Sequence, residues 1–316
     1  MPRALVFAGA SFVGQHLCRL LREKGVQVVP TARQPADDQT IVCDLTHAEN
    51  VCAVIEQTRP DWIIQCGAAT ASSAPADHYA VHVTGALNVL EAAQQFVPRA
   101  SLVLFGSAAE YGPVQAAALP VAETCPCHPT SFFGASKLAQ TQLAHAAAAT
   151  NDQRIAVVRP FNIIGPGLPD HYFATALARR LIRQTADLEA GITTDRTFEV
   201  HNPHATRDFI DVRDVAAAVW LLLEESPLTC GSAGVFNVAT GRETSILDVA
   251  CVLGELSGSL QPTHGGEMDS RGGITRSAGD AGLLRQLGWD VTTNLRDSLT
   301  DQWNSFSMSA IDRNTG

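Results

Sequence analysis

Residues 131–142 read SFFGASKLAQTQ and carry Lys137, an ammonium, with Phe133 four positions before it. On a helix that spacing sets the two on one face, one turn apart. A phenyl ring neither gives nor takes a proton. Acid–base chemistry at this face therefore has to come from Lys137 or from groups brought to it. Residues 107–112, SAAEYG, offer the Ser107 hydroxyl, the Glu110 carboxyl and the Tyr111 phenol. His82 is a further proton-transfer candidate, although a histidine on a helix face is more often structural. Arg207 opens the segment RDFIDVRDV, residues 207–215. A guanidinium fork suits paired phosphate oxygens better than an ammonium does. The plainer alternative for Arg207 is an ion pair with a nearby aspartate.

The first half of the chain supplies a scaffold for these groups by alternating strand and helix. Residues 3–7 are a short apolar run, and 15–24 follow with Leu17, Leu20 and Leu21 at helical spacing before Gly25 as a stop signal. Further strands are expected at 26–29, 40–43, 62–66, 101–105 and 154–159, with helices at 50–58, at 78–95 and from 131 onward. Strands rich in Val, Ile and Leu that alternate with helices predict an α/β chain whose parallel sheet is covered on both faces. Residues 236–241, FNVATG, return a seventh strand to that sheet, and 170–184 predict a helix bearing Arg179, Arg180 and Arg183.

The formal net charge of -10 argues against nucleic acid or an anionic membrane as partner, while a few local arginines still suffice for a phosphorylated ligand. No apolar run approaches membrane-spanning length. The start, MPRALVFAGAS, lacks the length and basic opening of a signal peptide and reads as a first strand. Eight scattered cysteines, among them Cys18, Cys66 and Cys251 in apolar surroundings, read as reduced buried thiols of a cytoplasmic protein. Cys125-Pro-Cys127 lacks the two-residue spacing of a zinc or redox motif, and no metal is expected.

Lys137 with its upstream Ser107, RPFNIIGPG at 159–167, RDFIDVRDV at 207–215 and Leu287-Gly-Trp289 together resemble the extended short-chain dehydrogenase/reductases, the NAD-dependent epimerase/dehydratase family. That family acts mainly on nucleotide-activated sugars, and the resemblance spans about residues 3–305. The segment at 159–167 most resembles the GDP-4-keto-6-deoxy-D-mannose reductase branch. The resemblance implies a Rossmann-type doubly wound parallel sheet with a smaller C-terminal substrate-binding lobe. The dinucleotide-binding domain would be 1–163, with 206–239 returning to it. The lobe would be 164–205 and 240–305, and 306–316 a tail.

The resemblance also assigns roles. The family motif is Tyr-x-x-x-Lys with an upstream Ser or Thr, which makes Ser107, Phe133 and Lys137 the catalytic positions, with phenylalanine where the tyrosine stands. The family turn, Gly-x-x-Gly-Phe-x-Gly, lets a cofactor pyrophosphate approach a helix N-terminus. Aligned on Phe12, Val13 and Gly14, it meets Ala8 and Ser11 at the first two glycines. A one-residue deletion instead places Gly9 first. A bare strand-to-helix turn without ligand is the alternative to dinucleotide binding. The acid that bonds ribose hydroxyls in NAD-preferring relatives falls at Ala32, between Thr31 and Arg33, and so favours NADP over NAD. Asp44 and Leu45 match the adenine-contacting pair, and Gly67, Ala68 and Ala69 would let the cofactor pass close to the backbone. Lys137 would bind the nicotinamide ribose. Asn162 and Ser107 would bind substrate, Arg207 would grip its diphosphate, and Arg271, in the arginine-bearing stretch before Asp280, is a second candidate. Ala108 and Ala109 stand where dehydratase relatives carry an Asp-Glu pair, which argues against dehydration.

Three explanations of Phe133 stand open. It is an introduced substitution, or the enzyme uses another acid (a water held by His82 or Lys137, or Glu110, or Tyr111) or runs a non-redox chemistry that needs no tyrosine, or the chain is a silent relative that binds nucleotide or partners. The surviving substrate-side segments favour an enzyme on a nucleotide sugar. A homodimer is expected through helices 78–95 and 131 onward, whose alanine-rich face from Ala139 to Ala149 permits close approach.

Overall fold

The computed structural model describes residues 1–67, 69, 73–225, 228–258, 260–266 and 274–314, with side chains described as far as Phe306. In chain order the elements are β1 (Arg3–Phe7), α1 (Phe12–Glu23), β2 (Gln27–Ala32), β3 (Ile41–Val42), α2 (Ala48–Thr58), β4 (Trp62–Gln65), α3 (Pro75–Tyr79), α4 (Gly85–Phe96) and β5 (Ser101–Phe105). They continue as α5 (Phe132–Asn151), β6 (Arg154–Pro160), β7 (Asn162–Ile164), α6 (Phe173–Glu189), β8 (Thr197–Val200), β9 (Thr206–Arg207), β10 (Phe209–Asp211) and α7 (Val212–Glu224). The last are β11 (Ser232–Val238), β12 (Thr244–Ser245), α8 (Ile246–Leu256), β13 (Gln261–His264), α9 (Gly282–Gln286) and α10 (Leu295–Asn314).

The apolar runs form one seven-stranded sheet in the order β11-β6-β5-β4-β1-β2-β3, every pair parallel. Leu5, Phe7, Ile63 and Leu104 face a core with residues of α2, α4 and α5. Val6, Ile64, Val103 and Phe105 face the opposite core, with α1 and α7. Burial on both faces is why these strands lack polar alternation. The strand order reverses between β1 and β4, which opens a crevice at the carboxyl ends there. A third core joins α6, α8, β8 and part of α10.

The helix expected at 78–95 is built in three pieces. Between α3 and α4, Ala80–Thr84 forms a wide π turn, in which the Gly85 N–H bonds the Ala80 carbonyl. Such turns recur at functional sites, and this one holds His82 fully inside the protein. Among the described residues no helix is long and apolar enough to cross a membrane.

Candidate active site

The carboxyl end of β5 is extended by a tight turn, Ala108–Glu110, capped by Ser107. Ser107 Oγ accepts the Ala109 N–H at 3.1 Å, and its backbone N–H donates to Glu110 Oε1 at 2.9 Å. Glu110, completely buried, has its other oxygen filled by Thr141 Oγ1 at 2.9 Å and by Arg159, whose Nη2 lies 2.7 Å away. One carboxylate thus ties the end of β5 to α5 and β6. A charge removed from water in this way needs that full set of partners.

The first turn of α5 packs directly on this structure. A Cβ on Gly134 would stand 2.4 Å from the Ala109 carbonyl oxygen, so only glycine permits the approach. The approach brings Phe133 and Lys137 to the β5 end. Lys137 Nζ donates to the Phe105 carbonyl at 2.5 Å, two residues before Ser107, and to Gln140 Oε1 at 3.1 Å. Burial pushes the ammonium down to about 8, and the Glu110 and Cys66 charges oppose that fall.

Both ring nitrogens of His82 are engaged within the scaffold, as the structural reading of a helix-face histidine has it. Its Nε2 accepts the Ala69 N–H at 3.1 Å, so Nδ1 carries the proton and donates to Ser136 Oγ at 2.8 Å. Ser136 in turn donates to the Phe133 carbonyl. Burial, then the nearby Lys137 and His78 charges, push the imidazole down to about 2, so it is neutral at every physiological pH. Phe133 completes an aromatic cluster with His78 and His82. Glu110 likewise has donors on both carboxyl oxygens. Tyr111 donates to Asn237 Oδ1 at 2.7 Å, and burial pushes its phenol up to about 12.

In the turn after β1, Ala8 itself adopts a left-handed conformation, with φ 59°. Gly9 packs on Pro30, and a Cβ on Gly14 would meet the Ala8 carbonyl oxygen at 2.3 Å. Ser11 caps α1 by accepting the Gly14 N–H at 3.2 Å. The first backbone N–H groups of α1, at Phe12 and Val13, have no intrahelical acceptor, and both residues line the cavity described below.

One other expected contact is corrected. Thr31 is buried within β2 beside Ile41, so it offers no hydroxyl to a phosphate, and only Arg33, exposed just beyond the strand, remains. A Cβ on Gly67 would lie 2.8 Å from Leu45 Cδ1. Leu45 is buried, while Asp44 accepts from Thr46 N–H and Oγ1 at 2.9 and 2.8 Å and stays half-open. Ala68 and Arg271 lie outside the described residues.

A cavity of about 480 Å³ joins these parts. Phe12, Val13 and Ala69 line it with Ser107, Phe133, Lys137, Asn162 and Arg207. Among the described residues no carboxylate pairs with Arg207, whose Nη1 bonds the Thr206 carbonyl at 2.7 Å. The acids that follow it are structural. Asp208 accepts the N–H groups of Thr240, Gly241 and Gly279, Asp211 pairs with Arg213, and Asp214 caps residues 292–293. Val114, Leu119, Val121 and Phe161 make one wall apolar. Sequence reasoning missed Tyr172 and Arg276, which also line the cavity. Arg276 was findable, since it lies in the same arginine-bearing stretch before Asp280 and is held by Glu243.

Comparison with known proteins agrees with this arrangement. The profile of the NAD dependent epimerase/dehydratase family matches residues 4–239. The chain is 31% identical over 263 residues to GDP-6-deoxy-D-mannose reductase from Pseudomonas aeruginosa, covering 81% of each. It is 27% identical to GDP-6-deoxy-D-talose 4-dehydrogenase from Aggregatibacter actinomycetemcomitans, over 95% of this chain and 97% of that one. Among solved structures, RMD from Pseudomonas aeruginosa complexed with NADPH superposes with a TM-score of 0.82 at 26% identity, covering 98% of this chain and 100% of that one.

Proposed function

Because the chain belongs to the NAD dependent epimerase/dehydratase family, we propose that it is an NAD(P)-dependent oxidoreductase of a nucleotide-activated sugar, most like a 4-keto-6-deoxyhexose reductase. The observation that carries this reading is the single cavity that brings Ser107 and Lys137 together with Asn162, Arg207 and the start of α1. The two curated relatives act, by name, on GDP-linked 6-deoxy sugars. An apolar wall of Val114, Leu119, Val121 and Phe161 suits a methyl group at C6 better than a hydroxyl.

The residues present fit a dinucleotide. The free N–H groups of Phe12 and Val13 and the N-terminal dipole of α1 attract a pyrophosphate, and Gly14 keeps that turn tight. Arg33 would pair with a 2′-phosphate, which favours NADP, and Asp44 and Ala69 would flank the adenosine and nicotinamide ends. The bound nicotinamide would supply hydride exchange at the sugar C4. Lys137 would hold its ribose, Ser107 would donate a hydrogen bond to the sugar carbonyl, and Asn162 and Arg207 would hold the diphosphate side. The test is absorbance at 340 nm with NADPH and a GDP-linked 4-keto-6-deoxyhexose, followed by product identification. Loss of absorbance together with a new 4-hydroxy sugar is expected.

Phe133 supports a second reading, a relative that binds both ligands without turnover. Calorimetric binding of NADPH and nucleotide sugar with no reaction at any pH would favour it. The division into a dinucleotide-binding domain and a lobe is also proposed, on the separate core around α6 and α8. So is a cytoplasmic homodimer through the segment 78–95 and α5, where Tyr79 at the end of α3, Leu87 on α4 and Phe132 on α5 stand exposed.

A further inference from the structure

A sugar carbonyl that gains hydride must also gain a proton, and Phe133 has none to give. The titratable side chains that line the cavity are Cys66, Tyr111, Lys137, Tyr172, Arg207 and Arg276, with Glu110 and His82 just behind. Most are committed elsewhere. Both Glu110 oxygens are filled by donors, one of them a guanidinium. Both His82 nitrogens are used within the scaffold. The Tyr111 hydroxyl is spent on Asn237, whose amide is itself fixed by the Val121 and Asp280 carbonyls. Burial holds the Cys66 thiol far above its ordinary range. Arginine does not deprotonate. Tyr172 precedes α6, where its ring stacks on His171 and is 46% exposed.

Lys137 differs from all of these. Its ammonium has three hydrogens, and the structure assigns acceptors to two, Phe105 O and Gln140 Oε1. No carboxylate pairs with it among the described residues. It lines the cavity one turn from Phe133, at the strand end that carries Ser107. We propose that Lys137 is itself the proton donor to the substrate oxygen, acting where a phenol is absent. This rests on the reductase reading given above. The carbonyl carbon gains a hydride from the reduced nicotinamide dinucleotide, which leaves oxidised by two electrons. The C=O π pair moves onto oxygen, Lys137 Nζ gives its proton to that oxygen, and the resulting amine is reprotonated from water. The depressed basicity of the buried amine suits this task, since a donor works best when its pKa lies near the working pH. Burial sets that basicity, and Glu110 on the turn after β5 and Cys66 just after β4 oppose it; His82 on the π turn, with His78 packed against it, also faces the amine, and Arg159 on β6 pairs with Glu110.

Single-turnover reduction of the keto sugar tests the proposal, with NADPH affinity measured separately for each variant. In the native chain the rate should fall as pH rises through about 8. Lys137→Ala and Lys137→Arg should each lose about 10²- to 10⁴-fold in single-turnover rate at saturating NADPH, over and above any affinity lost with the ribose contact. Added methylammonium should restore the Lys137→Ala chain and leave Lys137→Arg unchanged. Without any ligand, ¹⁵N NMR should show one lysine titrating near 8 that vanishes in both variants. Turnover that survives in Lys137→Arg, or is abolished by Tyr172→Phe and not rescued by the amine, overturns the proton donor and leaves the reductase reading standing. A native chain that binds both ligands and reduces nothing at any pH overturns both.

Discussion

The Phe133 ring stands at 84° to the His82 imidazole with centroids 5.4 Å apart, against a histidine locked in one neutral tautomer. The phenylalanine is therefore a packed part of the site wall, and it lines the cavity that Ser107 and Lys137 share. With Lys137 already giving the proton, Phe133→Tyr is expected to raise reduction of a 4-keto nucleotide sugar by less than the about 10²- to 10⁴-fold that a general acid contributes where none acts. It should also move the pH limb away from that of Lys137. Steady-state rates of both chains across pH 6 to 10 check this. An unchanged rate with both ligands bound would show that the phenol has no task here.

His82 should make the fold acid-sensitive. Its folded pKa, about 2, lies below the ordinary 6.5, so the unfolded chain binds the extra proton between those values. Stability is accordingly intact above 6.5 and lost as pH falls, by at most about 1.4 kcal/mol per pH unit. Urea unfolding of the native chain should drop by about 2 kcal/mol between pH 6.5 and 5. In His82→Asn, whose amide carries no proton equilibrium, that slope should be shallower.

The Glu110–Arg159 pair predicts a large loss on neutralisation. Both side chains are buried, 0% and 4% exposed, and Glu110→Gln leaves the guanidinium without its counter-charge. A loss of about 3–5 kcal/mol in chemical denaturation is expected. Because Glu110 also anchors Ser107 and Thr141, activity should fall with stability. Preserved stability would show that the carboxylate is dispensable to the scaffold.

Ala8 predicts a gain. An alanine held at φ 59° is disfavoured relative to glycine, and Ala8→Gly should stabilise the fold by roughly 1 kcal/mol, less the added backbone entropy of the unfolded chain. Thermal unfolding reads this directly, and a lower midpoint would count against the strained turn.

Arg33, left alone by the burial of Thr31, should carry any NADP preference by itself. Calorimetry is expected to give tighter binding of NADPH than of NADH, and Arg33→Ala should cut that difference by about tenfold, the equivalent of one charge-assisted contact. Equal affinities in the native chain would remove the preference altogether.

Much of this protein was legible in the chain itself, because alternating apolar strands and amphipathic helices admit few arrangements other than a parallel sheet covered on both faces. The four-residue spacing of Phe133 and Lys137 likewise placed them on one helix face, and the segments around Asn162 and Arg207 marked the opposite wall. What each polar group does was decided only by tertiary contacts between segments far apart in sequence. Glu110, a free acid on paper, is consumed by Arg159 and Thr141. His82 owes its fixed tautomer to Ala69 and Ser136, the latter 54 residues away. Thr31, a hydroxyl open to a phosphate on paper, is buried within β2. Residue type sets which proton or charge a side chain can carry, whereas burial and the identity of its partners decide whether that proton is free to move, and those arise only when the chain has folded.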